Sequence, residues 1–354
     1  MKYPALVNFM HVLPELEQFD CIIDARSESE YALDHIPGAI NCPVLNDEER
    51  ILVGTTYKQV NAFEAKKIGA ALVSKNIARH IETLWLDKPR DWKPLVYCWR
   101  GGNRSGSLAH VLAKIGWPAI QLDGGYKAYR AHVSSALEDP PRHDFRVICG
   151  TTGSGKSRLL EVLASIGAQV LDLEKLAAHR GSVLGNLPSQ PQPSQKMFET
   201  LIWQALRKFD PARPVFVESE SKKVGNLRVP GAVMEKMRQS PCVSLNLSRQ
   251  NRVRLLMEDY EHFTNSPETL NTQLDCLVKL HGRDKIDRWH QLANSGQMPN
   301  LVEELLADHY DPAYVRSIDR NFIQFGQAQI VELPDIGSSD FMAAATALHG
   351  QHAG

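Results

Sequence analysis

Nowhere does the chain carry the roughly 18 uninterrupted apolar residues that a membrane-spanning helix needs, and helical membrane proteins are excluded on that ground. The opening Met1-Lys2-Tyr3-Pro4 lacks the apolar core and cleavage site of a secretory signal, so a cytoplasmic location is expected. The cysteines, at positions 21, 42, 98, 149, 242 and 276, form no C-x-x-C pair and no Cys/His cluster at zinc spacing, so no structural metal is expected. In a reducing compartment they are expected to be free thiols, one of which can be reactive. Excess charge is missing too: 40 Lys and Arg face 41 Asp and Glu. A net charge of −1 advertises no nucleic-acid partner, although a local basic patch is compatible with it. What remains is an ordinary soluble composition, 43% hydrophobic and 23% charged, in a chain of 354 residues that is long enough for two domains.

The first half opens on the apolar run Phe19-Asp20-Cys21-Ile22-Ile23-Asp24, a strand ending in an acid and followed by Arg26. Ser27 and Glu30 then have the spacing of a capping box at a helix start. The segment His35 to Asn41 makes a turn into a second short strand, and residues 61–76 read as a helix with Phe63, Ile68, Ala71 and Leu72 on its inner face. Next, Pro94-Leu95-Val96-Tyr97 is a strand that ends at Cys98-Trp99-Arg100-Gly101-Gly102-Asn103-Arg104-Ser105. A cysteine at a strand end, then glycines, then an arginine, is the pattern of a thiolate in an anion-binding loop. Successive N–H groups in such a turn form a nest, while Arg100 and Arg104 would favour the thiolate, the nucleophilic form. A helix over residues 104–115, a strand at Ala119-Ile120-Gln121-Leu122 and a helix after Asp123-Gly124-Gly125-Tyr126 complete this half. Strands alternating with helices predict an α/β domain with a largely parallel sheet.

Two prolines at 140 and 141 stop the last helix and place a boundary between domains 1–138 and 139–354. The strand Phe145-Arg146-Val147-Ile148-Cys149 leads straight into Gly150-Thr151-Thr152-Gly153-Ser154-Gly155-Lys156-Ser157, a full G-x-x-x-x-G-K-[ST] phosphate loop with helical spacing behind it. Glycines let the backbone approach phosphates, Lys156 supplies a point charge, and Ser157 is a candidate Mg²⁺ ligand. Pro214 to Glu220 reads as a buried strand with acids at its end, Glu218 being the first candidate for Mg²⁺ or water and Glu220 the second. Asp172 ends another strand-like run and is a candidate for the same site. His179 and Arg180 lie in a polar loop and are candidate substrate contacts. The stretch Gly185 to Ser194, with three prolines, reads as a loop. Arg249, Arg252 and Arg254 fall on a helix over 248–260, and Arg249 and Arg252 share a face that could meet phosphates or an RNA backbone. The remainder reads as mostly helical, with one more strand at Gln329 to Leu333.

The ordered segments Ile23-Asp24-Ala25-Arg26, His35 to Ala39, Cys98 to Arg104 and Leu122 to Tyr126 resemble the rhodanese family. That resemblance implies a loop cysteine carrying sulfur or selenium as a persulfide or perselenide, with Asp24, Arg26 and His35 to Gly38 as scaffold. The loop counts seven residues from Cys98 to Arg104, whereas many sulfurtransferases use six; the longer form resembles the phosphatase-like branch and suits a phosphate-sized anion. Taken together with the phosphate loop, with Asp172-Leu173-Glu174, His179-Arg180-Gly181-Ser182 and Val217-Glu218-Ser219-Glu220-Ser221, the chain resembles the tRNA 2-selenouridine synthase family. The resemblance implies a rhodanese-like domain followed by a P-loop NTPase-like α/β domain. It also implies replacement of sulfur by selenium in the wobble 2-thiouridine of tRNA, with selenophosphate as donor and Cys98 as perselenide carrier. An S-geranyl intermediate made from geranyl diphosphate is implied as well, the phosphate loop being a candidate seat for the diphosphate or for a nucleotide. On this reading the partners are tRNA and a selenophosphate-producing enzyme, with no membrane and no tightly bound cofactor other than a candidate Mg²⁺. Three alternatives stay open: a sulfurtransferase with an accessory NTPase domain, a phosphatase–kinase fusion, and a rhodanese-like interaction module.

Overall fold

The computed structural model describes residues 3–181, 185, 190–259 and 267–351. Ser182, Tyr260 and residues 186–189 of the proline-rich loop therefore lie outside the described residues. The chain divides into two compact units, the first made of Met1–Ala136 with Pro193–Gln204, the second of Leu137–Gln192 with Ala205–Gly354.

In the first unit the elements run β1 (Ala5–Asn8), α1 (Phe9–Val12), β2 (Cys21–Asp24), α2 (Glu28–Leu33), β3 (Ala39–Asn41), α3 (Asp47–Gln59) and α4 (Ala62–His80). They continue with β4 (Pro94–Tyr97), α5 (Asn103–Ile115), β5 (Ile120–Asp123) and α6 (Gly125–Ala136). The sheet has the order β1-β5-β4-β2-β3, and every pairing in it is parallel. Strand β4 sits at the centre and is buried along its whole length, which is why Pro94 to Tyr97 is an unbroken apolar run rather than an alternating one. The capping box at Ser27 and Glu30 is formed. Helix α4 differs from the sequence reading. Phe63 is 68% exposed and Ala71 is exposed, while the helix buries Ala65, Asn76, Ile77 and His80. Helix α3, which the sequence reading lacked, lies against it, with Val53 beside Gly69, and the core is met mainly by the last turns of α4.

The second unit opens with β6 (Phe145–Cys149), α7 (Lys156–Ser165), β7 (Gln169–Leu171) and α8 (Leu173–Leu176); the chain then forms α9 (Gln195–Lys208), whose residues up to Gln204 belong to the first unit, and returns to the second with β8 (Val215–Glu218). A short antiparallel hairpin, β9 (Lys223–Val224) and β10 (Leu227–Arg228), precedes α10 (Gly231–Arg238), β11 (Cys242–Leu247) and α11 (Arg249–Asp259). The C-terminal stretch holds α12 (Pro267–Leu274), α13 (Val278–His281), α14 (Arg283–Asn294), α15 (Met298–Leu305), α16 (Asp311–Asn321), β12 (Gln329–Leu333) and α17 (Ser338–Gly350). Its main sheet, β12-β11-β6-β8-β7, is again wholly parallel. Strand β6 lies in the middle of this order, so the loop after it opens at the carboxyl edge of the sheet, where ligands of open α/β folds bind. Helices α12, α14 and α15 close over a core of their own around Leu274, Ile286, Trp289 and Leu301.

Residues 193–204, which the division at 138/139 assigned to the second domain, pack within the first unit. The reason is a buried polar junction. Thr200 donates to Asp34 at 2.8 Å and accepts from Tyr129 at 2.9 Å, and Arg130 pairs with Glu199. Asp34, fully buried, also accepts from Tyr126 at 2.8 Å, so removing the segment would strip a partner from a buried carboxylate.

Candidate functional site

Cys98 stands at the end of β4 with 3% of its surface exposed, and the Ser105 hydroxyl donates to its Sγ at 3.1 Å. The loop after it is held from behind by its carbonyls. Tyr126 N–H donates to Cys98 O at 2.8 Å and Lys127 N–H to Trp99 O at 3.0 Å. The Gln121 side-chain amide donates to Gly101 O at 2.5 Å, with a longer 3.4 Å contact to Gly102 O. A planar trans peptide points its N–H opposite its C=O, so the N–H groups of Trp99, Arg100, Gly102 and Asn103 face away from these anchors. The first intrahelical bond of α5 runs from Gly106 N–H to Gly102 O, so Asn103, Arg104 and Ser105 add the unsatisfied donors of a helix start. The loop therefore has its carbonyls anchored and several of its N–H groups turned from those anchors. Gly125 is indispensable to it: at φ +53° a Cβ there would lie 2.2 Å from Cys98 O.

Arg104 does not offer its whole fork to an anion, because Glu30 takes two of its donors at 2.6 and 3.1 Å. Burial alone would raise the Glu30 carboxyl, but the Arg104 guanidinium and the Ser27 donors outweigh it and hold the group below its ordinary range. Arg100 is exposed, and Trp99 is about one-third exposed and packs on Tyr126. Beside the loop an open cleft of about 840 Å³ runs between α4 and α5. Val73, Ile77, Ile81 and Val111 give it an apolar wall; Gly101, Gly102 and Asn103 of the loop also line it, as do Ser107, His110 and Gln121. None of its lining residues is a carboxylic acid.

In the second unit the phosphate loop joins β6 to α7 as its motif requires. Gly155 caps the helix at φ +87°, and a Cβ on it would meet the Phe341 ring at 2.6 Å. The Lys156 ammonium folds back on the loop, 2.8 Å from Gly150 O. The Ser157 hydroxyl donates to Glu174 at 3.0 Å, and Glu174 N–H donates in turn to Glu218 at 2.8 Å. Above the loop lies a pocket of about 450 Å³ lined by Lys156, Ser157, Glu174, Arg180, Glu220 and Tyr314 among others. The Tyr314 hydroxyl accepts from Gly150 N–H at 2.6 Å.

The carboxylates here are held protonation-prone. Burial raises Glu218 far above its ordinary range, with Asp172, Glu174 and Glu220 adding to it, and one oxygen of Glu218 has no partner. Part of the Glu220 surface is open, yet the atoms packed round its carboxyl desolvate it, and with Glu174 nearby it is pushed up to about 8. Among the described residues no three His, Cys, Asp or Glu side chains come together as a metal site.

Of the acids singled out in the sequence, Glu220 lines the pocket, whereas Glu218 backs it through Glu174. Asp172 caps α8 by accepting from Lys175 N–H at 2.8 Å and does not line the pocket. His179 is buried and accepts from Gly181 N–H at 3.0 Å; burial lowers its pKa, so it is a neutral loop anchor. Arg180 lines the pocket. A role for Arg252 on RNA is overturned: it is 6% exposed and committed to Thr152 O at 2.9 Å and to Asp311. It is a strut between the phosphate loop and α16. Arg249 is half exposed beside the same Asp311, at 3.6 Å. Sequence reasoning missed Tyr314 and the Gln121 anchor. Neither belongs to a motif, and each acts on a loop far from it in sequence.

Two family models match the chain: a rhodanese-like domain over residues 12–132, and the domain described as tRNA 2-selenouridine synthase AAA domain over residues 143–277. A tRNA 2-selenouridine synthase of Nitrosomonas europaea is 38% identical over 68% of this chain, and this chain spans 63% of that relative's length. The Nitrosomonas eutropha protein of the same name is 37% identical and is spanned over 62% of its length. The tRNA 2-selenouridine synthase of a Sulfurovum species is 31% identical over 91% of this chain and 98% of its own.

Proposed function

Because the chain belongs to the tRNA 2-selenouridine synthase family, we propose that it replaces the sulfur of wobble 2-thiouridine in tRNA by selenium, using selenophosphate. The observation that carries this reading is the loop after Cys98, whose carbonyls are anchored and whose N–H groups are turned from those anchors, an arrangement that suits a tetrahedral phosphorus anion next to a nucleophilic sulfur.

A thiocarbonyl sulfur is a poor leaving group, and alkylation converts it into one that departs as a thiol. We therefore assign the second unit the preparatory step. The phosphate loop and Lys156 bind the diphosphate of geranyl diphosphate, the thiouridine sulfur takes the geranyl carbon, and the diphosphate leaves into the loop. A Mg²⁺ ion held by Ser157 and Glu174 would supply charge that offsets the diphosphate. The first unit then exchanges the alkylated sulfur for selenium. The cleft beside the Cys98 loop supports a prenylated substrate, since Val73, Ile77, Ile81 and Val111 give it an aliphatic wall alongside the polar Ser74, Ser107, His110 and Gln121.

The test is mass spectrometry of nucleosides from tRNA incubated with the protein, selenophosphate and geranyl diphosphate. Cys98→Ser is expected to lose selenation and keep geranylation; Lys156→Ala is expected to lose geranylation. Full selenation by Cys98→Ser would remove the first unit from the chemistry. Tight ATP binding with turnover, and no competition by geranyl diphosphate, would remove the proposed role of the phosphate loop.

A further inference from the structure

Resting on that reading, we infer that the Cys98 sulfur attacks the phosphorus of selenophosphate, not its selenium, and that the loop carries a phosphoryl group in the reaction.

Electron balance separates the two routes. Selenium in selenophosphate is already at the selenide level and is bound to fully oxidised phosphorus. For Cys98 to hold it as a perselenide, the S–Se bond must form while the Se–P pair leaves on phosphorus, reducing it to phosphite. Attack at phosphorus is redox-neutral. The Cys98 thiol gives up its proton, the S–P bond forms, the Se–P bond breaks, and its electron pair leaves on selenium, which takes up that proton and departs as hydrogen selenide anion. Selenide then attacks C2 of the S-geranyl nucleoside, where the C2–Se bond forms, the C2–S bond breaks and geranylthiolate departs. Water next attacks the phosphocysteine; an O–P bond forms, the S–P bond breaks, inorganic phosphate leaves and the water's protons pass to the medium. No oxidant or reductant enters.

The geometry fits that route. The N–H groups of Trp99, Arg100, Gly102 and Asn103 face away from their anchored carbonyls, and the unsatisfied donors of α5 join them. Such donors match the equatorial oxygens of a phosphoryl group in transfer, with Cys98 Sγ at the apex. Ser105 donates to that sulfur at 3.1 Å, which stabilises it as thiolate when it attacks and again when it leaves. An alkyl phosphate needs its leaving oxygen protonated. Hydrogen selenide anion is a far weaker base than an alkoxide, so a P–Se bond makes the smaller demand on a general acid. The cleft next to the loop is lined by His110 and by no carboxylic acid.

The full chain is mixed with selenophosphate labelled with radioactive phosphorus in one series and radioactive selenium in another, without tRNA, and quenched rapidly at neutral pH. Radiophosphorus bound to the wild type, absent from Cys98→Ser, with phosphate as the only phosphorus product, is the expected result. Ser105→Ala should hold the phosphorus label about tenfold longer, because the departing sulfur loses a charge-stabilising hydrogen bond. Radioselenium bound to Cys98 with phosphite in solution would overturn the inference and leave the selenium exchange itself standing. A chain that makes selenouridine yet acquires neither label would overturn it too. Labelling with phosphorus but no selenouridine from S-geranyl tRNA would instead sink the function proposed above.

Discussion

Arg26 and Asp24 lie side by side with 1% and 0% of their surfaces exposed, joined by a 2.6 Å contact, and Arg26 also donates to Asp34 O. Removing one partner strands a buried charge. Arg26→Leu is expected to cost about 3–5 kcal/mol in denaturant unfolding, with little loss if Asp24 is replaced by an apolar residue at the same time. Gly125→Ala acts more locally: the added methyl would press on Cys98 O and on the backbone nitrogens of Arg100 and Gly101 and displace the loop. Selenation should fall at least tenfold while geranylation stays near the wild-type rate, both read from tRNA nucleosides. At this scale the reactive residues were the legible ones, because Cys98, Lys156 and Ser157 sit in contiguous motifs. Glu30 was legible only as a helix cap, and its grip on Arg104 joins positions 74 apart, which no local pattern reports.

Helix α4 shows what an element adds. Periodicity found the helix, but α3 was absent from the reading, so Phe63 was assigned inward and is in fact exposed. Strand β1 was invisible for a related reason: it is an edge strand with Leu6 59% exposed, so its pattern carries no inner face. The misreading of α4 matters for function, because Ala70, Ser74 and Ala78 at i, i+4 and i+8 present short side chains to the cleft beside α5. Ala78→Trp should fill part of that space. Selenation of S-geranyl tRNA is expected to drop at least tenfold, and selenation of an S-methyl analogue to change less than twofold. An equal effect on both substrates would place the geranyl chain elsewhere.

Across the whole chain, the parallel sheet of the first unit followed from alternating strands and helices; in the second unit β11 (Cys242–Leu247) was not read as a strand, and the segment 193–204 was not placed with the first unit. Its place depends on Asp34 and Tyr129, which lie more than sixty residues earlier. The second unit also carries a pH dependence. Glu220 has a folded pKa of about 8 against an ordinary value of 4.5, so the folded state binds the extra proton between those limits. A raised folded pKa means stability that is full below the ordinary value and is lost as pH rises through the folded one. Without ligand the unfolding temperature should fall from pH 6 to pH 8.5, and Glu220→Gln should flatten that slope. A wild-type slope equal to that of the variant would show that Glu220 does not govern it.

The four anchored carbonyls of the Cys98 loop also bear on how such enzymes could be interconverted. Two of them are tied to the first residues of α6 and two to one side chain of β5. Deleting a residue to reach the shorter sulfurtransferase loop would break this register at both ends at once. A change of donor chemistry would then require concerted rewriting of Gln121, Gly125 and the loop, a barrier that single insertions or deletions would not cross.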